Sequence, residues 1–137
     1  MPNPPPFTPL KPRVHRKRRA AVAAGPPPPL ALTLISADYA DVDTTLTLVF
    51  DRAIDIGGLD GNEIKVDDQP LGVRFLATGA AMLLAPTTVR IELVEDGGIP
   101  DGDDVFVNAS AASGIIAVAP PVGGTWGGAT DLSLPFP

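Results

Sequence analysis

The sequence predicts an all-β domain, an antiparallel β-sandwich over residues 30–137, preceded by a basic, proline-rich arm over residues 1–29. Three observations predict it. Apolar residues recur with period two in several short runs, most cleanly in Thr44 to Phe50, where Leu46, Leu48 and Phe50 alternate with Thr45, Thr47 and Val49. Clusters of Gly, Asp and Pro punctuate those runs, as turns require. No stretch carries a convincing amphipathic helical period. About seven to nine short strands spaced in this way make a sandwich, and the lack of a fixed repeat argues against a solenoid or propeller.

The boundary at residue 29 rests on composition and charge. Ten of the 17 prolines lie in the first 29 residues, Pro26 to Pro29 among them. Six of the ten basic residues, Lys11, Arg13, Arg16, Lys17, Arg18 and Arg19, lie there too, and no acidic residue precedes Asp38. The arm therefore carries +6. The remaining four basic residues stand against all 16 acidic ones, so residues 30–137 carry −12. Proline fixes φ and removes backbone donors, and Phe7, Leu10, Val14 and Val22 are the arm's only bulky apolar residues, so it is expected to be disordered. At ~3.1 Å per residue it would reach ~90 Å when extended. The Ala20–Ala24 run after the cations is too short and too weakly apolar for a signal peptide's core. Nothing approaches the about 18 apolar residues of a membrane helix, and with no cysteine there is no thiol chemistry.

In chain order, Leu30 to Ala37 predicts a first strand with Leu30, Leu32 and Leu34 on one face. Asp38 to Asp43 reads as a polar connector to the strand Thr44–Phe50. Ile54 and Ile56 resume the alternation, and Ile56 and Leu59 are expected to plug the edge of the core from a turn-rich loop. Strands follow at 63–67 and 72–77. Residues 80–85, with Met82, Leu83 and Leu84, fit either a strand or a helical turn, since Ala, Met and Leu favour helix. Thr88 to Val94 reads as one strand with Val89, Ile91 and Leu93 inward. Further strands are expected at 104–110 and 115–118, and a closing one through Leu132, Leu134 and Phe136.

Leu48-Val49-Phe50-Asp51-Arg52-Ala53-Ile54-Asp55 resembles the end of an alternating strand in bacterial immunoglobulin-like modules of surface-layer, swarming-motility and adhesin proteins. Ile99-Pro100-Asp101-Gly102-Asp103-Asp104-Val105-Phe106-Val107 resembles a later phrase of the same modules. The resemblance spans about residues 30 to 118 and implies an immunoglobulin-like antiparallel β-sandwich with a disordered N-terminal arm. Such modules usually stand in tandem in secreted chains, whereas here one copy follows a basic arm. A small sandwich with an arm is also similar in architecture to accessory components of phage particles. Fold alone assigns no function.

The inventory argues against catalysis. The only histidine, His15, lies in the arm, there is no cysteine, and no phosphate loop, dinucleotide fingerprint or zinc spacing is present. No cofactor or small-molecule substrate is expected. Calcium is the one metal the composition admits, through Asp38, Asp41 and Asp43 or through Asp101, Asp103 and Asp104, although aspartate is also the usual turn residue. The cations Lys11, Arg13, Arg16, Lys17, Arg18 and Arg19 suit a polyanion, either an acidic protein surface, including another copy of this chain, or nucleic acid. Phe7 is a candidate apolar plug. Trp126, among glycines, either covers the open end of the sandwich or anchors a partner. The expected function is that of a non-enzymatic structural or interaction module, an accessory or decoration part of an assembly such as a phage particle, with a virion location. The alternatives are a cell-surface or secreted adhesion module and a nucleic-acid-associated protein.

Overall fold

The computed structural model describes residues 30–137. Phe7 and the six cations of the arm, Lys11, Arg13, Arg16, Lys17, Arg18 and Arg19, lie outside the described residues. Among the described residues there are eleven strands: β1 (Leu34–Ala40), β2 (Thr45–Phe50), β3 (Ile54–Asp55), β4 (Ile64–Asp68), β5 (Val73–Leu76), β6 (Ala81–Ala85), β7 (Thr88–Glu92), β8 (Val94–Glu95), β9 (Val105–Ala109), β10 (Ile116–Ala117) and β11 (Ala129–Ser133). Two single-turn 3-10 helices, Gly61–Glu63 and Ala111–Ser113, complete the described elements. No helix among the described residues is long and apolar enough to cross a membrane.

One sheet has the order β1-β2-β7-β6 and the other β11-β9-β4-β5-β8, with every strand pair antiparallel; β3 and β10 form a small separate ladder. Leu46, Leu48, Val89 and Ile91 from the first sheet share one core with Ile64, Val66, Phe75 and Val107 from the second, which makes the two sheets a sandwich. The orders match the A-B-E-D and G-F-C sheets of the immunoglobulin fold, with β5 and then β8 added beyond the C position. The protein is thus an all-β, immunoglobulin-like antiparallel sandwich.

The centre of the first sheet is β2, paired with β1 on one side and β7 on the other. Its period-two pattern is obeyed, with Leu46, Leu48 and Phe50 all buried. Each such side chain contributes about 1.5–3 kcal/mol by leaving water.

The first strand departs from expectation. It begins at Leu34 rather than Leu30, which is 61% exposed, and it runs on through Asp38, Tyr39 and Ala40. The cause is a register shift between Leu34 and Ser36, which places an extra residue against β2 and turns Ala37 inward. Tyr39 then meets Phe75 of the opposite sheet at 6.2 Å between ring centroids. The connector shrinks to a turn at Asp41–Thr44, closed by the Thr44 amide donating to the Asp41 carbonyl (3.3 Å), with Thr44 at φ 52°.

Two more elements are refined. Residues 81–85 are a strand, because β6 pairs with β7 along the edge of the first sheet. The single strand expected at Thr88–Val94 is split: β7 ends at Glu92, and Leu93 pivots the chain so that β8 pairs with β5 in the second sheet. Leu93 is inward on either sheet, so alternation alone does not reveal the switch. Ile56 and Leu59 pack against the core from their loop as expected.

Candidate functional site

Trp126 belongs to the core. It is 3% exposed, sits edge-on to Phe50 at 5.5 Å and 72°, and donates its backbone amide to the Ile115 carbonyl (3.1 Å). The covering role is the one the structure adopts. At 3% exposure its ring is packed against Phe50 and is not an exposed anchor in this arrangement. The neighbouring Gly128 is at φ +91° with its backbone against the Ala109 carbonyl, so glycine serves a close chain approach there.

The two aspartate clusters are dispersed into other contacts. The Asp67 carboxylate, 1% exposed, accepts from Arg74 Nε at 2.5 Å and from Arg74 Nη2 at 3.1 Å. Arg74 Nη2 also donates to Asp101 (2.7 Å), and the Asp101 amide donates to Asp67 (2.9 Å). These bonds tie β4, β5 and the 96–104 loop together. The hydrogen bonds that Arg74 donates to Asp67, foremost, hold the guanidinium pKa above its ordinary value. In the other cluster, Asp41 accepts from the Tyr39 hydroxyl (3.3 Å) and Asp43 lies 3.9 Å from Arg90. No group of three or more His, Asp or Glu side chains that could hold a metal ion forms among the described residues.

Two surface features fall where the sequence pointed to none. The first is β6. It ends the first sheet, so one row of its backbone groups has no strand beside it, and Met82, Leu83 and Leu84 are 56%, 43% and 53% exposed. Edges are usually blunted by charge, proline or shortness. The five residues of β6 have neither charge nor proline, and a register shift between Leu83 and Ala85 is their only irregularity. The opposite edge of that sheet, β1, is bridged at Ala37 by Phe136. On the second sheet, β8 is only two residues long.

The second feature is a cleft of about 350 Å³ beside the β1–β2 turn, lined by Tyr39, Leu71, Leu134 and Pro135, with the exposed Asp38 and Asp41 and the buried Asp68 also on its lining. Asp68 is 3% exposed and accepts from the Leu71 amide (3.2 Å). Burial first, then the neighbouring carboxylates of Asp68 and Asp41, push the Tyr39 phenol well above its ordinary range. A larger open depression of about 590 Å³ lies over the second sheet, and two of its lining side chains bond each other, Ser110 Oγ donating to Glu63 (2.6 Å).

The chain matches no family model, no curated protein and no solved structure. Its fold is therefore carried by strand order and its surface by the two features above.

Tyr39 is the only tyrosine, so its titration is directly visible. The unfolded phenol ionises near pH 10. Because the folded value is raised, the stability it confers is fully present below about pH 10 and is lost as pH climbs toward the folded value. In an alkaline titration the tyrosinate absorbance should rise late, together with loss of structure, whereas Asp41→Asn should move it to lower pH. Ionisation near pH 10 in the intact fold would contradict the burial and charge environment described.

Proposed function

We propose that this chain is a non-enzymatic structural and interaction module, an accessory or decoration component of a larger assembly such as a phage particle, held there by the β6 edge and by its N-terminal arm. The observation that carries the reading is β6, an apolar, uncharged edge strand whose Met82, Leu83 and Leu84 are exposed along the open side of the first sheet. An exposed edge accepts a strand from a partner through main-chain hydrogen bonds, and alternate side chains add specificity. Met82, Leu83 and Leu84 supply the apolar part. The charge division supports the same reading, since a −12 body behind a +6 arm suits contacts between unlike surfaces.

Nucleic acid is the second reading, favoured by the cations at Arg16 to Arg19. The acidic body repels a phosphate backbone, so such contact would fall to the arm alone.

The test is sedimentation of native extracts. The full chain should travel with a large particle, and Leu83→Lys, at a site already exposed, should weaken that association about tenfold without lowering the melting temperature. A chain that runs as a lone monomer at every concentration in extracts of its source would rule the reading out.

A further inference from the structure

We infer that the cleft between Tyr39 and Pro135 is the docking site for the basic, proline-rich arm of a second copy of this chain, so that copies join head to tail. This deepens the assembly reading by naming the chain itself as a partner, and it uses no part of β6.

The chemistry of the cleft is that of a receptor for such a segment. Its walls are apolar, with one aromatic ring, Tyr39, beside Leu71 and Pro135, and three acids, Asp38, Asp41 and Asp68, share its lining. Proline-rich segments dock in aromatic-lined grooves because their extended form is already low in entropy. The arm offers Pro6, Pro9 and Pro12 at three-residue intervals, with Leu10 between them and Lys11 and Arg13 interleaved. Three-residue spacing returns prolines to one side of a polyproline helix, leaving cations to meet those acids.

Charge makes the match selective. The described ion pairs fall on Asp51, Asp67, Asp101 and Asp43. None of the four basic residues among those described pairs with Asp38, Asp41 or Asp68. A carboxylate as enclosed as Asp68, 3% exposed, is costly without a cation nearby. The arm holds six cations and no acid.

Geometry selects a second copy over the chain's own arm. Leu30, from which residues 1–29 extend, lies at the end of the sandwich where Arg52 Nη2 donates to the Leu30 and Ala31 carbonyls (3.0 and 2.7 Å). The cleft lies at the other end, by the β1–β2 turn; from Leu30 to Tyr39 the chain rises roughly 30 Å at about 3.3 Å per residue. Four consecutive prolines, Pro26 to Pro29, stiffen the stretch beside Leu30, and stiffness there disfavours the fold-back that docking in the chain's own cleft requires. At ~3.1 Å per residue an extended arm has the length to carry Lys11 and Arg13 ~55 Å from Leu30, enough to meet a neighbouring copy. An arm at one end and its receptor at the other make a heterologous contact, which closes into a ring or grows into a filament.

The test is analytical ultracentrifugation of the full chain with two charge-reversed variants, Asp38→Lys/Asp41→Lys in the cleft and Lys11→Glu/Arg13→Glu in the arm. Asp38 and Asp41 are exposed, so the cleft variant should keep the wild-type melting temperature. The wild type should self-associate at low salt and return to monomer at about 1 M, where the screening length is ~3 Å. Each variant alone should associate about tenfold more weakly or not at all. An equimolar mixture of the two, with unlike charges restored between molecules, should associate again and perturb the near-ultraviolet absorbance of Tyr39. A wild type that stays monomeric at low salt would overturn the inference, as would association that survives in both variants or a mixture that fails to recover it. Loss of particle binding in Leu83→Lys leaves these outcomes untouched, so failure of the β6 reading and of this one are separately visible.

Discussion

Replacing Arg74 with methionine should lower folding stability by about 3 kcal/mol, the loss expected when one partner of a buried ion pair is removed and the other stays buried. Asp67 is the partner left behind. It is 1% exposed, and without Arg74 it keeps only the Asp101 amide as a hydrogen-bond donor. The second substitution in the pair separates charge burial from lost packing. In the Arg74→Met background, Asp67→Asn removes the stranded charge while its amide oxygen still accepts from the Asp101 amide, and most of the loss should return. Denaturant unfolding followed by Trp126 fluorescence measures both. A single-variant loss below about 1 kcal/mol, the range of exposed pairs, would mean that the network is solvated and does not hold the 96–104 loop.

Trp126→Ala should cost about 3–5 kcal/mol, the range for deleting a large aromatic from a packed interior. The ring lies 5.5 Å from Phe50, the last inward residue of β2, in an edge-on pair that adds about 0.5–1.5 kcal/mol beyond its burial. Its backbone also bridges Leu32, so the deletion loosens the segment that leads into β1. Trp126→Phe should recover more than half of the loss by refilling most of the volume. Thermal melts followed by circular dichroism give the comparison, since the fluorophore is gone. A loss near zero for alanine would return Trp126 to the surface and reopen its role as an anchor.

The parts of this fold that were legible from sequence are those in which one local rule acts alone. Thr45 to Phe50 alternates, is β-branched, aliphatic or aromatic throughout, and is the central strand of its sheet. β4, β5 and β9 were legible for the same reason. Where two rules compete, local reading stops. Leu32 and Leu34 face the core as their alternation implies, but the register shift after Leu34 hands the inward face to Ala37 and Tyr39, and a bulge has no signature in that alternation. Ala81 to Ala85 has helix-favouring composition but lies against β7, and pairing overrode propensity. Glycines around Trp126 left its covering and anchoring roles both open, yet Gly124 and Gly128 allow backbones to pack closely beside a buried ring. The cleft was out of reach altogether, since Tyr39, Asp68 and Pro135 come from three distant stretches that only the finished topology brings together. The exposed edge of β6 was hidden similarly, because Met82, Leu83 and Leu84 look like core residues until their place in the strand order is known.

Arg52 gives the arm a mechanical root. Any tension carried along residues 1–29 enters the folded body at Leu30 and Ala31, whose carbonyls the Arg52 guanidinium grips. The adjoining backbone bonds run from the Asp51 amide to the Thr33 carbonyl (3.0 Å) and from the Thr33 amide to the Asp51 carboxylate (3.1 Å), so the load passes directly to the end of β2. Beyond that point β1 and β2 are antiparallel, and a pull along β1 strains their rungs together, in shear, instead of opening them one after another. The Asp51-Arg52 pair that ends the alternating strand is thus a cleat for a tether.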